Sequence, residues 1–468
     1  MTGKRSGNQG IKPARPEGIE SVEALFLREE GKVDDCFQER YQDLGSDSID
    51  SRVFTSRHYC SQEYKLMWSK VWQMACREEE LPRVGSHYVY EIGRHSFLII
   101  RGEDDTLRAF YNSCLHRGRK LKTSQGCSKE IRCPFHAYTW RLDGELKHIP
   151  AQWDFCHIKE EQMTLPQIRL ATWQGFVFIN MDPDCAPLEE YLGEITEHFE
   201  RWRLDECSKV VHVRKRIPCN WKVAMEAFME AYHSQATHPQ ILSFSADANS
   251  QYDILGDHVS RAIHPMGVQS EFLPKNSVSQ QQILDTLTRG SGRVVSEHEH
   301  QLEEGQAARD VMARMSRDNF SKEDGHNYER ATNAEMLDAI VYNVFPNFSP
   351  WGGYVPNIVY RWLPDGEDPD SCYMDVMVLK RNNKDAERVP PVPLHSLEED
   401  EKWSDAEELG ALGPIFDQDM GNMPFVQSGM HAAKEKKIEL ANFQEVRIRH
   451  THKVLDMYMQ GWQEQDDS

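Results

Sequence analysis

Apolar positions recur at helical spacing from about Tyr59 to Trp72, after which the pattern shifts to short alternating runs broken by turns. Tyr88–Ile92, Ser96–Ile100, Leu107–Asn112 and Gly175–Asn180 each read as a strand, so the stretch through Asp182 predicts a small all-β module. Beyond Pro187 the pattern predicts a helix around Leu188 to Trp202, a strand from Val210 to Ile217, and a strong helix opening at Asn220. Asn220 follows Pro218 and Cys219 and is suited to cap that helix, because its side chain can accept from a first-turn N–H. Residues 295 to 340 carry a charged amphipathic pattern that predicts helices, whereas Tyr354–Leu363 and Cys372–Lys380 alternate like paired strands. The fold class expected is α+β.

The first 50 residues are rich in Gly, Pro and charge with weak apolar periodicity, and they predict a partly disordered arm with some helix. A proline-rich and then acidic stretch, Val389 to Glu408, predicts a surface loop. The expected division is an arm over 1–50, a β domain with a leading helix over 51–185, and a catalytic domain over 186–468. At 468 residues the chain is long enough for two such domains.

Composition narrows the class. With 39% hydrophobic and 28% charged residues the chain reads as globular, and no apolar run approaches the roughly 20 residues of a membrane span. The polar start from Met1 to Glu17 lacks the apolar stretch of a secretory signal, so cytoplasmic residence is expected. Eleven scattered cysteines are an odd number unlike a disulfide framework, and most are expected as reduced core thiols. A net charge of −21 argues against a general nucleic-acid binder.

Two groups of residues carry chemistry. Cys114 and His116 form Cys-x-His, and sixteen residues separate that triplet from Cys133 and His136, which form Cys-x-x-His. Two thiolates suit one iron of a [2Fe–2S] cluster, and two imidazoles suit the other. The same donors would serve a structural zinc, although zinc sites more often open with Cys-x-x-Cys. These residues and their flanks, Cys114-Leu-His-Arg-Gly118 and Cys133-Pro-Phe-His136 with Trp140, Asp143 and Gly144 after them, closely resemble the Rieske domain of ring-hydroxylating oxygenases. One departure is Ala137-Tyr138, where that family usually has Gly-Trp.

The second group runs from Asn220 to Pro239. On a continuous helix Glu226, Glu230 and His233 share one face, whereas His238 falls about 140° round from His233. Both histidines can meet one metal only if the helix ends between them, and Pro239 supplies a reason for that ending. Two His and one carboxylate leave iron positions open for dioxygen and substrate. Trp221, Met225, Phe228 and Tyr232 read as ordinary core packing. The block resembles the mononuclear-iron motif of the same family, which implies a downstream carboxylate. Asp419 aligns best with it, and Asp417 is the runner-up. The resemblance also makes Glu230 the bridging acid, joining the iron site to the second cluster histidine, His136, of a neighbouring subunit. Most dioxygenases of the family have Asp there, and Ala227 stands where some members have Asn.

The resemblance extends from about Ser51 to Gly461 and includes Phe345–Asn347 and Arg361–Gly366 as core. It is weakest over 285–340 and 389–408, where substrate choice would reside. It implies a Rieske β domain set into a helix-grip, START-like α+β catalytic domain, with one [2Fe–2S] cluster and one mononuclear Fe(II) per subunit. It further implies a homotrimer or α3β3 hexamer. Electrons from NAD(P)H would arrive through a reductase, with or without a ferredoxin, since the chain shows no Gly-x-Gly-x-x-Gly fingerprint. The activity implied is O2-dependent cis-dihydroxylation or monohydroxylation of a hydrophobic aromatic or polycyclic ring. A one-component monooxygenase or demethylase on a quaternary amine or aryl ether is the alternative, hinted at by Glu230, and a pure Rieske electron carrier is the more distant one. Between Cys114 and Lys147, eight basic residues stand against three acidic ones, a patch suited to steering an acidic electron donor.

Overall fold

A computed structural model describes residues 19–290, 300–354 and 357–462. The expected disorder of the arm's first 18 residues lies outside that range. From residue 19 the arm is built into the protein. Ser21 caps the helix Val22–Glu30, and Val22, Leu25, Phe26 and Phe37 are buried. Its weak periodicity hid this because burial comes from docking: Asp253 accepts from the Arg40 N–H at 2.7 Å, and buried Arg309 bonds Glu29 at 2.7 Å.

The β module is a seven-stranded antiparallel sheet from Gln73–Arg77 to Phe176–Asn180, with a three-stranded sheet over Ile131–His148 beside it. The second sheet has eight strands. It runs from the edge strand Gln251–Ile254 through Val259–His264, Ala339–Val344, Phe348–Gly352 and the hairpin Asn357–Asp365/Asp368–Arg381 to Cys207–Ile217. His395–Ser396 closes it in the one parallel pairing among the described strands.

Period-two alternation sends its side chains to two different cores. Ile340, Tyr342, Val359 and Met377 pack with Phe176, Phe178, Trp202 and the arm's Leu25 and Phe26. Val341, Tyr360, Trp362 and Val376 face the other way, toward Trp221, Met225, Phe416 and Leu455. This second face carries the chemistry. The fold class is the expected mixture of a β domain and a helix-grip-like domain.

Three elements differ from the sequence expectation. The helix after Pro187 breaks into Leu188–Leu192 and Ile195–Phe199 because Gly193 takes φ +58, ψ −138, a conformation that glycine alone adopts without strain. The 389–408 stretch is exposed at first, yet Leu397, Trp403 and Ala406 are buried. The helix capped by Asn220, whose side chain accepts from Lys222 N–H at 3.1 Å, stops at Glu226.

Candidate metal centres

The two Cys-His segments fold into loops with the same backbone bonding. Cys114 N–H donates to Arg119 O and Gly118 N–H to Cys114 O, while Cys133 N–H donates to Tyr138 O and Ala137 N–H to Cys133 O. Closing each turn requires a left-handed residue, Gly118 at φ +74 and Ala137 at φ +62. Alanine there costs about 1 kcal/mol relative to glycine, so the departure at 137 strains the loop without opening it. Tyr138 stacks flat on His116, with centroids 4.7 Å apart and planes 7° apart. The buried sulfurs of Cys114 and Cys133 lie against each other, and the two imidazoles stand 4.7 Å apart at 69°. His116 Nδ1 is buried without a hydrogen-bond partner, as a lone pair kept for a metal would be. Two thiols, two imidazoles and this orphaned nitrogen fit a [2Fe–2S] cluster.

In the second centre the α-helix stops at Glu226 and helix resumes only over Ser234–Thr237. His233 caps that short helix and His238 ends it at φ −126, ψ 52, as expected of a residue before proline. Their rings come to 5.2 Å. Asp419, from the helix Leu412–Met420, places Oδ1 2.8 Å from His238 Nε2 and 3.6 Å from His233 Nε2. The three donor atoms lie within 4.8 Å of one another.

The far nitrogen of each ring is also held. His233 Nδ1 is 2.7 Å from Glu230 Oε1, and His238 Nδ1 is 2.8 Å from Gln418 Oε1. An acceptor at Nδ1 fixes the proton there and leaves the Nε2 lone pair facing its companions, the arrangement of metal-binding histidines. Burial works to lower the pKa of His233, but its bond to Glu230 and the charges of Glu230 and Asp419 outweigh this and raise it. The donor set therefore fits a mononuclear iron.

Several expectations need correction. Glu226 does not share a helical face with Glu230 and His233, because the helix has ended, and its carboxylate instead meets His452 at 2.8 Å. Tyr232 leaves the apolar stripe of Trp221 and Met225 and is 45% exposed. Asp417 turns away from the histidines and accepts from the N–H groups of Trp403 and Ser404 at 2.8 and 3.3 Å.

The cause of the early helix ending is the C-terminal helix Val446–Tyr458 and the turn before it. Arg447 Nη1 donates to Met229 O at 3.0 Å, and Tyr252, bonded to Gln444, accepts from Ala231 N–H at 3.2 Å. These distant residues, together with Gln418, are the ones that sequence reasoning missed. Only Gln418, next to Asp419, left a signal.

Phe416, three residues before Asp419 on its helix, packs with Phe228, Tyr360 and Trp362 in a largely buried aromatic cluster whose centroids lie 4.9–6.0 Å apart. Large apolar side chains are exposed near both centres: Phe135 and Trp153 beside the Cys-His loops, Tyr232 and Phe425 beside the histidines.

Residues 71–166 match the Rieske [2Fe-2S] domain, and residues 194–461 match the catalytic domain of the ring hydroxylating alpha subunit, a family that typically binds mononuclear iron. The oxygenase subunit of carnitine monooxygenase from Escherichia coli (strain K12) is 32% identical over 199 residues, 41% of this chain and 52% of that protein. The alpha subunit of biphenyl 2,3-dioxygenase from Rhodococcus jostii (strain RHA1) is 27% identical over 196 residues, 40% of this chain and 43% of that protein. The chain thus spans about half the length of the curated relatives it matches. A crystal structure of a quaternary ammonium Rieske monooxygenase with L-carnitine superposes with a TM-score of 0.61 at 18% identity, covering 89% of this chain and 97% of that one. At that identity the likeness shows a shared fold. Among the described residues no helix is long and apolar enough to cross a membrane.

Proposed function

We propose that this chain, which belongs to the family of Rieske oxygenase alpha subunits, is the oxygenase component of a monooxygenase acting on a quaternary ammonium compound. The observation that carries the oxygenase reading is the triad His233, His238 and Asp419 with both Nδ1 atoms held from behind. Curated relatives favour the quaternary amine over the ring substrate expected first, since the carnitine enzyme matches at higher identity than the biphenyl enzyme. One local feature supports the same choice: Glu230 in place of the usual Asp.

Cys114, His116, Cys133 and His136 would hold the cluster, and His233, His238 and Asp419 the iron. When bound, the cluster supplies electrons singly and the iron supplies the place where dioxygen is reduced beside the substrate. The remaining work belongs to the chain. Glu230 and Gln418 hold the protons on His233 and His238 at Nδ1, and Asp419 adds a negative charge. The balance is one C–H bond, one O2, two electrons and two protons giving C–OH and one water.

Electrons would come from NAD(P)H through a separate reductase, attracted by the basic surface around the cluster. There Lys147 pairs with Glu130 and Arg141 with Glu145, and a surplus of basic side chains remains. A reduction rate indifferent to ionic strength would count against this docking. We assign 51–185 to the Rieske unit and 186–468 to the catalytic unit, assembled as a homotrimer in which Phe135 and Trp153 of one copy cover Tyr232 and Phe425 of the next. Glu230 then stands between the iron site and His136 of the neighbouring subunit.

The test is a single turnover. Dithionite-reduced, desalted protein is mixed with O2 and with carnitine, γ-butyrobetaine or glycine betaine, and in parallel with biphenyl or naphthalene, and products are read by mass spectrometry. Oxygenation of an amine alone supports the proposal. Oxygenation of a ring alone restores the first expectation, and cluster oxidation without any product leaves an electron carrier.

A further inference from the structure

A cavity of about 390 Å3 that neither metal centre uses lies between the two sheets. Tyr88 and the loop residue Gln125 line it from the β module, and His212, Arg214 and Arg361 line it from the eight-stranded sheet. Its size falls within the roughly 300–1,000 Å3 of small-molecule sites.

Charge on the catalytic side is uneven. Asp375 accepts from Arg214 Nε and Nη2 at 2.5 and 2.9 Å and from Arg361 Nε and Nη2 at 2.8 and 2.6 Å. Burial works against its charge, yet Arg214 and Arg361 hold its pKa well below the usual carboxylate range. One carboxylate therefore serves two guanidinium groups. Arg361 spends its Nη1 on backbone carbonyls of Met74 and Ala75, whereas the Arg214 side chain stays 25% exposed. Nearby Lys209 and Glu80 cancel each other at 2.9 Å, and Glu91 at the rim pairs with Lys120. One positive charge is left over.

His212 adds a directed donor. The Lys209 ammonium donates to its Nδ1 at 2.9 Å, so the proton of the neutral ring sits on Nε2. Burial keeps that ring neutral by lowering its pKa. Nε2 is buried with no hydrogen-bond partner, and Asp375 Oδ1 at 3.8 Å is too far to serve as one. An orphaned buried N–H is destabilising unless an acceptor arrives. The Tyr88 hydroxyl is a third donor. Burial pushes its pKa up to about 12, and it makes no hydrogen bond among the described residues.

We propose that this cavity binds a small oxyanion, a carboxylate or a phosphate, held by Arg214, His212 and Tyr88 between the Rieske and catalytic sheets. Arg214 with surplus positive charge, His212 with an unsatisfied N–H and Tyr88 with a free hydroxyl all line it, and the carboxylates Glu80 and Glu91 are already paired.

The test uses the whole metal-loaded protein. Unfolding midpoints and calorimetric titrations are recorded with sodium succinate and with sodium phosphate, against sodium chloride at matched ionic strength. A saturable rise with either anion is expected, since a ligand of the folded state raises its stability as concentration passes Kd. Tyr88→Phe, which breaks no protein hydrogen bond, should weaken binding about tenfold, as loss of a bond to a charged acceptor does. Arg214→Gln should weaken it further. Response to phosphate alone or to succinate alone identifies which oxyanion the site takes. Midpoints that follow ionic strength only, or equal binding in wild type and Tyr88→Phe, would overturn the proposal.

Discussion

Exchanging Asp417 and Asp419 for alanine, one at a time, separates two carboxylates that lie two residues apart on one helix. Asp419 Oδ1 lies 2.8 Å from His238 Nε2 and 3.6 Å from His233 Nε2, and its side chain is 5% exposed. Without it the iron site keeps two donors of three. Losing one outer hydrogen bond at a metal site lowers affinity roughly 10–100-fold, and losing a ligand should lower it more. The metal-free fold should barely change, because among the described residues the carboxylate's partners are the two histidines alone.

Asp417 is the reverse case. It accepts two backbone N–H bonds that anchor the buried turn at Trp403. Bonds to a charged acceptor are worth about 1.5–3 kcal/mol each when well formed, and the 3.3 Å member is the weaker, so about 2 kcal/mol should be lost. For a catalytic unit of this size that lowers the unfolding midpoint by about 3 °C. The assays are iron content after anaerobic loading and a thermal melt of the metal-free protein, on each variant. The expected pattern is Asp419→Ala without mononuclear iron but with a wild-type melt, and Asp417→Ala with iron and a lowered melt. Iron retained in Asp419→Ala, or lost in Asp417→Ala at an unchanged midpoint, would refute the assignment.

Gln418→Leu removes the acceptor at His238 Nδ1 and should weaken iron binding about 10–100-fold, while Gln418→Glu restores it; equal affinity in all three proteins by equilibrium dialysis would show that the contact is idle. Glu63 and Lys222 form a fully buried pair at 2.6 Å that ties the leading helix to the one capped by Asn220. Glu63→Ala should cost about 3–5 kcal/mol in denaturant unfolding, and adding Lys222→Met should recover most of it. Burial lowers His198 to about 3 and His450 to about 4, from an ordinary 6.5. The unfolded chain therefore binds more protons below pH 6.5, so stability is full above that pH and falls as the pH drops toward the folded values. Each histidine should remove about 2 kcal/mol by pH 5, and His198→Asn should flatten part of the slope; a wild-type slope in that variant would contradict the shift.

The sequence alone settled what depends on local chemistry. Cys114, His116, Cys133 and His136 are legible because each pair sits within one turn, where spacing is geometry. The Asn220 cap, the Pro239 stop and the alternation of Cys372–Lys380 were legible for the same reason. Tertiary structure decided what depends on partners far along the chain. The helix after Asn220 has the residues to continue through Tyr232, yet it ends at Glu226 because Arg447 and the Tyr252–Gln444 pair capture the backbone of Met229 and Ala231, about 20 to 220 residues away. Alignment could rank Asp419 above Asp417, but only the helix Leu412–Met420 docked on the sheet shows one carboxylate at the histidines and the other capping a turn. The arm of 19–50 and the oxyanion cavity left no periodic trace, since their residues take their meaning from surfaces contributed by other segments. Spacing encodes contacts within a few residues; beyond that, the partner is chosen by the fold.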